Sequence, residues 1–413
     1  MFAFVARQPI LDRNQEVYAY ELLFRDGKAN CYPDVERDEA TRQLIMKNYL
    51  TLDLDDISCN KTSFINFQKD TLMHRFPESL NPETVVVEVY DNQPTNNGFV
   101  EACKHIKNLG FKLALDNHKV DPLWNSLLPF IDIVKIDVNM ENAAAIAKEL
   151  PKYKDANVQL VANKLESPQL FNLCHDMGFD FFQGYFFTRP VTLKPKIIPT
   201  SKLTLIDLMA ESGKETFNVD RVNQIIEHDV GLSYMLLRFI NNPLVNKRLK
   251  ITSLRHALNY MGEVEVKKFI ALLALANLSD DKPNELVHLS LVRARFCDLL
   301  ANLRGIGRNP PTGFLVGLFS LLDTLLDQDM SILVDKLPIV EDVKEALCGR
   351  DNEIGRYLQL AKAYESANWL KVKKIADSLS LDQKQLHSFY NDAIVWGNNI
   401  RHSVSGHFPK ARP

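Results

Sequence analysis

Eight polar residues close or interrupt short apolar runs: Glu21 in YELLFR, Asn66 in FINF, Glu88 in VVVEVY, Asp116 in LALDN, Lys135 and Asp137 in VKID, Asn163 in VANK, and Gln183 in FFQGYF. Carboxylate and amide oxygens are the ligands that hard divalent cations take, and a lysine among them can position or deprotonate a water. Each residue alone says little, because a strand-terminal Asp or Glu more often serves a turn or a cap. The ordered recurrence of the set is what points to a cation-assisted site.

The elements that carry these residues have a regular rhythm. To about residue 190, apolar runs (FAFVARQPIL, VYAYELLF, TSFINF, TVVVEVY, KLALD, DIVKIDV, VQLVA, FDFFQGYF) alternate with helical stretches such as GFVEACKHIKNLG and ENAAAIAKEL. That alternation predicts βαβ units and a parallel sheet. Runs that are apolar almost throughout suit strands covered on both faces, and their number favours a closed TIM-like β/α barrel over an open sheet. In such a barrel the chemistry sits at the C-terminal ends of the strands, which is where these polar residues fall.

Beyond RPVTLKPKIIPTSK, whose prolines block regular structure, the strand signal disappears. LSYMLLRFINN, EVEVKKFIALLALANL and FLVGLFSLLDTLL space apolar residues at helical intervals. The expected organisation is an α/β barrel over 1–192, a linker over 193–203, an all-α domain over 204–398, and a frayed tail over 399–413.

Composition bounds the rest. The 413 residues, 46% of them apolar, supply material for two cores. A net charge of -3 and the lack of a basic stripe interleaved with aromatics argue against a nucleic-acid partner. The cysteines Cys31, Cys59, Cys103, Cys174, Cys297 and Cys348 are scattered without a close pair, as buried thiols of a reduced compartment would be. The opening MFAFVARQPIL does not read as a signal peptide, and no run approaches a membrane span, so a cytoplasmic location is expected.

Taken in order, these motifs resemble the EAL family, barrel phosphodiesterases that linearise cyclic-di-GMP with two divalent cations, usually Mg or Mn. The resemblance covers about residues 2–190. It places Gln8 of RQPIL against a guanine and Arg25 of YELLFR on a phosphate. It makes Glu21, Asn66, Glu88, Asp116 and Asp137 metal positions, and Glu21, Lys135 and Gln183 catalytic ones. QGYFFTRP resembles the family's closing signature.

The departures matter as much. The family has two adjacent aspartates where this chain has Asp116 and Asn117, and a glycine-rich loop where it has NHKVDPLWNS. The family's first glutamate of an alanine-glutamate-glycine-valine-glutamate segment is Asn163 in ANKLE. The two changes to Asn remove two negative charges from a pocket meant for two dications. Each dication-carboxylate attraction is on the order of 8 kcal/mol before desolvation, at about 4 Å and an effective dielectric near 20. The weaker cation site is therefore expected to empty, leaving a degenerate barrel.

The helical half resembles the HDOD family over about 200–395, on IIEHDVGLSYMLLRFINN and ITSLRHALNYMGEVEVKKFI. His228-Asp229 is not read as a metal pair, because it sits at a helix end before Gly231, as capping chemistry would place it. On the glycine-leucine helix TGFLVGLFSLLD, Phe319 and Ser320 stand where a metal-dependent HD enzyme carries His and Asp. His256, His288 and His387 are isolated.

The combined EAL-HDOD architecture implies a signalling protein linked to motility, surface attachment or biofilm. The leading expectation is a non-catalytic module, with no certain cofactor and with Mg or Mn if the EAL site is functional, that works through contacts with other signalling proteins, with a homodimer left open. Two alternatives stay open: an active phosphodiesterase using Mg or Mn to make linear pGpG, and binding of cyclic-di-GMP without turnover.

Overall fold

The computed structural model describes residues 5–24, 57–67, 72, 80–89, 97–116, 127–188, 208–209, 211–212, 217–242, 245, 250–278 and 283–404. Arg25, Cys31, Asn117, the loop 118–125 and the expected linker 193–203 lie outside them. The chain divides into two compact units, Met1–Arg189 with Glu365–Trp369, and Pro190–Tyr364 with Leu370–Pro413.

The eight apolar runs of the first unit become strands: β1 (Val5–Leu11), β2 (Val17–Phe24), β3 (Thr62–Phe67), β4 (Val85–Val89), β5 (Lys112–Leu115), β6 (Ile133–Asp137), β7 (Gln159–Leu165) and β8 (Phe181–Gly184). They close in chain order into a barrel. Neighbours from β2 to β8 are parallel. β1 departs from the expected all-parallel sheet, being antiparallel to both β2 and β8. Only Asp12 to Glu16 link β1 to β2, too few residues for the crossover that parallel strands need. Asp12 Oδ1 accepts from the amides of Asn14 and Glu16, both at 2.9 Å, and fixes that hairpin turn.

One residue from each strand (Ile10, Ala19, Phe64, Val86, Ala114, Ile133, Val161 and Phe181) joins a single buried cluster, an apolar plug across the barrel. At the strand starts, Asp132 and Asp180 accept from the amides of Leu113 and Leu160, at 2.9 and 2.8 Å. Those two carboxylates tie strands together. Helices α1 (Asn97–Asn108), α2 (Ala143–Asp155) and α3 (Pro168–Met177) follow β4, β6 and β7. Ser167 caps α3 by accepting from Leu170 N, and Gly178 closes it in the left-handed region.

The second unit is helical throughout its described residues: α4 (Val219–Glu227), α5 (Val230–Ile240), α6 (Leu254–Leu278), α7 (Asn284–Arg304), α8 (Thr312–Leu318), α9 (Leu322–Leu326), α10 (Met330–Asp335), α11 (Glu341–Leu347), α12 (Glu353–Glu365), α13 (Trp369–Ser378) and α14 (Gln383–Val404). α7 packs most heavily on α8 and α14. Gly313 and Gly317 let α8 approach so closely that a Cβ would stand 2.6 and 2.3 Å from the carbonyls of Cys297 and Arg293. Lys268 of α6 pairs with Asp298 of α7 at 2.8 Å.

Two sequence expectations need correction. The tail expected from residue 399 begins as helix, since α14 runs to Val404 with Ile400 fully buried and anchoring that last stretch. The cysteines are not uniformly buried: Cys103, Cys174 and Cys297 are, Cys59 is half-buried and Cys348 is exposed. Burial pushes the thiols of Cys103 and Cys174 up to about 12, so both are inert.

Candidate functional site

Side chains on a strand alternate faces with a period of two. Two residues beyond each member of the apolar plug stands a polar one: Glu21 after Ala19, Asn66 after Phe64, Glu88 after Val86, Asp116 after Ala114, Lys135 after Ile133, Asn163 after Val161 and Gln183 after Phe181. On the reversed strand β1 the polar residue, Gln8, precedes Ile10 by two, and it pairs across the ladder with Glu21. The barrel thus carries a polar layer stacked directly on its apolar plug, toward the C-terminal ends of the parallel strands.

Lys135, fully buried, is the hub of this layer. Its Nζ lies 2.6 Å from Glu88 Oε1, 3.0 Å from Glu21 Oε2 and 3.7 Å from Asp116 Oδ1. Glu21 is saturated as well. Its Oε1 accepts from Asn66 Nδ2 at 2.8 Å, and its Oε2 from Gln183 Nε2 at 2.6 Å in addition to Lys135. Gln183 Nε2 also reaches Gln8 Oε1 at 3.1 Å. Seven of the sequence-selected residues, Gln8, Glu21, Asn66, Glu88, Asp116, Lys135 and Gln183, form one connected network.

Electrostatics follow from that packing. Burial pushes the Glu88 carboxyl well above its usual range, opposed by Lys135 and reinforced by Glu21 and Asp116. Burial alone would lower Lys135, yet the carboxylates of Glu21, Glu88 and Asp116 together hold it well above the ordinary lysine value. The ammonium therefore stays charged, a poor general base and a strong local cation.

Asp137 and Asn163 stand apart from this network. Asp137 Oδ1 accepts from Asn163 Nδ2 at 2.9 Å and Oδ2 from Lys164 Nζ at 2.6 Å. Lys164 was not singled out by the sequence, because regular alternation sends it away from Asn163's face. A register shift between Ala162 and Leu165, with Lys164 at φ 59°, brings it round. A lysine directly after a strand-terminal asparagine is the one signal that could have flagged it.

The donors in the layer are of the oxygen type that hard cations take. Asn66 Oδ1 and Glu88 Oε2 are buried oxygens that receive no hydrogen bond, and oxygen is what Mg and Mn prefer. Among the described residues no group of three or more His, Cys, Asp and Glu is arranged to hold a metal. A cation entering the ring would have to share Glu21, Glu88 and Asp116 with Lys135.

Among its described residues the helical unit shows no comparable set. Asp229 caps α5 by accepting from Leu232 N at 3.0 Å, and His228 Nδ1 donates to Gln224 O at 2.6 Å. Ser320 Oγ accepts from Arg293 at 3.0 Å and donates to Gly317 O at 2.7 Å, and Phe319 is buried. His387 lies 3.2 Å from Asn391 Nδ2. No described helix is long and apolar enough to cross a membrane.

Residues 198–326 match the HDOD domain. Over 406 residues the chain is 34% identical to the cyclic di-GMP phosphodiesterase CdgJ of Vibrio cholerae serotype O1, covering 97% of this chain and 94% of that protein. It is 33% identical over 409 residues to the uncharacterized protein YuxH of Bacillus subtilis, covering 97% and 99%. Among solved structures, it is similar to a standalone versatile EAL protein from Vibrio cholerae O395 in its c-di-GMP-bound form, at 23% identity and a TM-score of 0.35, over 45% of this chain and 90% of that one.

Proposed function

Because this chain belongs to the EAL-HDOD family, we propose that it is a cytoplasmic regulatory protein of cyclic-di-GMP signalling whose barrel turns that dinucleotide over slowly or not at all. The observation that carries the reading is the buried Lys135 ammonium, held by Glu21, Glu88 and Asp116 in the centre of the oxygen ring. Asp137, tied to Asn163 and Lys164, adds to it. Each of the four described carboxylates, Glu21, Glu88, Asp116 and Asp137, already has an internal cationic or amide donor. Among these residues, two-metal activation of a water would lack the open ligands it needs.

When bound, a single Mg or Mn would supply Lewis-acid polarisation of a phosphate oxygen. Glu21, Asn66, Glu88 and Asp116 are the residues that would hold it. Gln8 and Gln183, joined to each other and to Glu21, remain as a polar floor on which a nucleotide base could be oriented. The helical domain then works by contact with other signalling proteins, with motility, surface attachment or biofilm as the outputs the family implies.

The test is incubation of the full chain with cyclic-di-GMP and Mn or Mg, followed by chromatography of the products. The expected result is little or no linear pGpG. Steady production that disappears in Glu21→Ala would overturn the proposal. A second reading, a working phosphodiesterase, is favoured by one relative's name and by the unpartnered oxygens Glu88 Oε2 and Asn66 Oδ1. Calorimetric titration with the dinucleotide separates binding without turnover from no binding at all.

A further inference from the structure

Among the described residues of the polar layer, the carboxylates outnumber the ammonium groups. Glu21, Glu88 and Asp116 surround Lys135, while Asp137 lies two residues further along the same strand and is paired with Lys164. With all four carboxylates ionised, these two ammonium groups leave a residual charge of two among the described residues. Position divides the oxygens the same way. The described oxygens of the layer receiving no hydrogen bond, Asn66 Oδ1, Glu88 Oε2 and Gln183 Oε1, belong to the network around Lys135, whereas both oxygens of Asp137 already accept.

The backbone is bent to make this so. Lys164 sits in the left-handed region at φ 59°, where a side chain costs energy that glycine would not. It does so at the register shift between β7 and β8, which turns its side chain toward Asp137. An unfavourable conformation held by its surroundings, with a 2.6 Å charge-assisted bond as its result, marks a position with a job.

We infer that the Lys164 ammonium is the built-in counter-cation of Asp137, so that the mouth of this barrel takes one divalent cation, on the Lys135 ring, and not two. The inference rests on the reading above that the ring takes a divalent cation at all. It assigns a role to Lys164, which limits metal stoichiometry by occupying an oxygen that a second ion would require. Asn163 supports it by donating to the other oxygen.

Titration of the full chain with Mn, counting bound ions from the loss of the free-ion electron paramagnetic resonance signal at low ionic strength, tests this without reference to turnover. The wild type is expected to bind one Mn per chain. The double variant Asn163→Glu, Lys164→Gly, which removes the ammonium and both donors while suiting the left-handed backbone, is expected to bind two. Lys164→Arg, which keeps a cation, is expected to stay at one. Two ions in the wild type, or one in a folded double variant, would overturn the inference and leave the metal reading standing. No bound Mn in the wild type would overturn the metal reading and the inference with it. The wild-type count can decide against the inference whether or not the double variant folds.

Discussion

Lys135 Nζ lies 2.6 Å from Glu88 Oε1, and neither side chain is accessible to solvent. A buried pair of this kind is weak as a source of net stability, but removing one member strands the other. Lys135→Met is therefore expected to destabilise the barrel by about 3–5 kcal/mol, read as a lower urea midpoint for its unfolding transition. Adding Glu88→Gln should recover part of that loss, because the stranded charge is gone. A Lys135→Met barrel of unchanged midpoint would mean that the ammonium compensates nothing.

The same pair sets a pH dependence. The folded-state value of Lys135 is raised above its ordinary 10.5, so its contribution to stability is complete below that pH and is lost as pH rises through the higher folded value. Glu88, raised above its ordinary 4.5, acts in the acid range: ionising it costs the fold progressively as pH rises from 4.5 through its folded value. Urea midpoints followed upward from pH 9 should fall more steeply for the wild type than for Lys135→Met. Parallel curves would show that Lys135 does not report in this window.

Much of this site is legible in the sequence because the barrel turns position along a strand into position in space. Glu88 in VVVEVY or Lys135 in VKID interrupts an apolar run at one phase of a period-two pattern, and eight strands in register stack those phases into one layer. What period cannot give is partner choice. Asp137 shares a phase with Lys135, yet a register shift hands it to Lys164. The reversed direction of β1 was likewise readable only from the length of the Asp12–Glu16 link, not from the apolar run itself.

His228-Asp229 supplies a test on the helical side. Asp229 accepts from Leu232 N at 3.0 Å as the first cap of α5, and loss of such a cap costs about 1 kcal/mol. Asp229→Ala should lower the stability of the helical domain by that amount, and Asp229→Asn or Ser should restore most of it. Metal content measured by mass spectrometry should be identical in all three. A drop in bound metal on Asp229→Ala would show that the pair is a ligand set and not a cap.

Gly184 closes the barrel where β8 passes β7. Its φ is 142°, and a Cβ there would stand 2.2 Å from Leu165 O and 2.4 Å from Leu165 N, inside the backbone of the neighbouring strand. No side-chain rotation relieves a clash with backbone, so β8 must move. Gln183, one residue earlier, would move with it, and its amide holds Glu21 Oε2 at 2.6 Å and Gln8 Oε1 at 3.1 Å. Gly184→Ala is therefore expected to destabilise the barrel by roughly 2 kcal/mol or more and to weaken Mn binding as well, since Glu21 would lose a partner that fixes its orientation. Glu83→Ala, an exposed substitution on the opposite side of the strands, should change neither. A Gly184→Ala protein that melts and binds Mn like the wild type would mean that β7 and β8 do not approach as closely as the ladder between Leu165 and Gly184 requires.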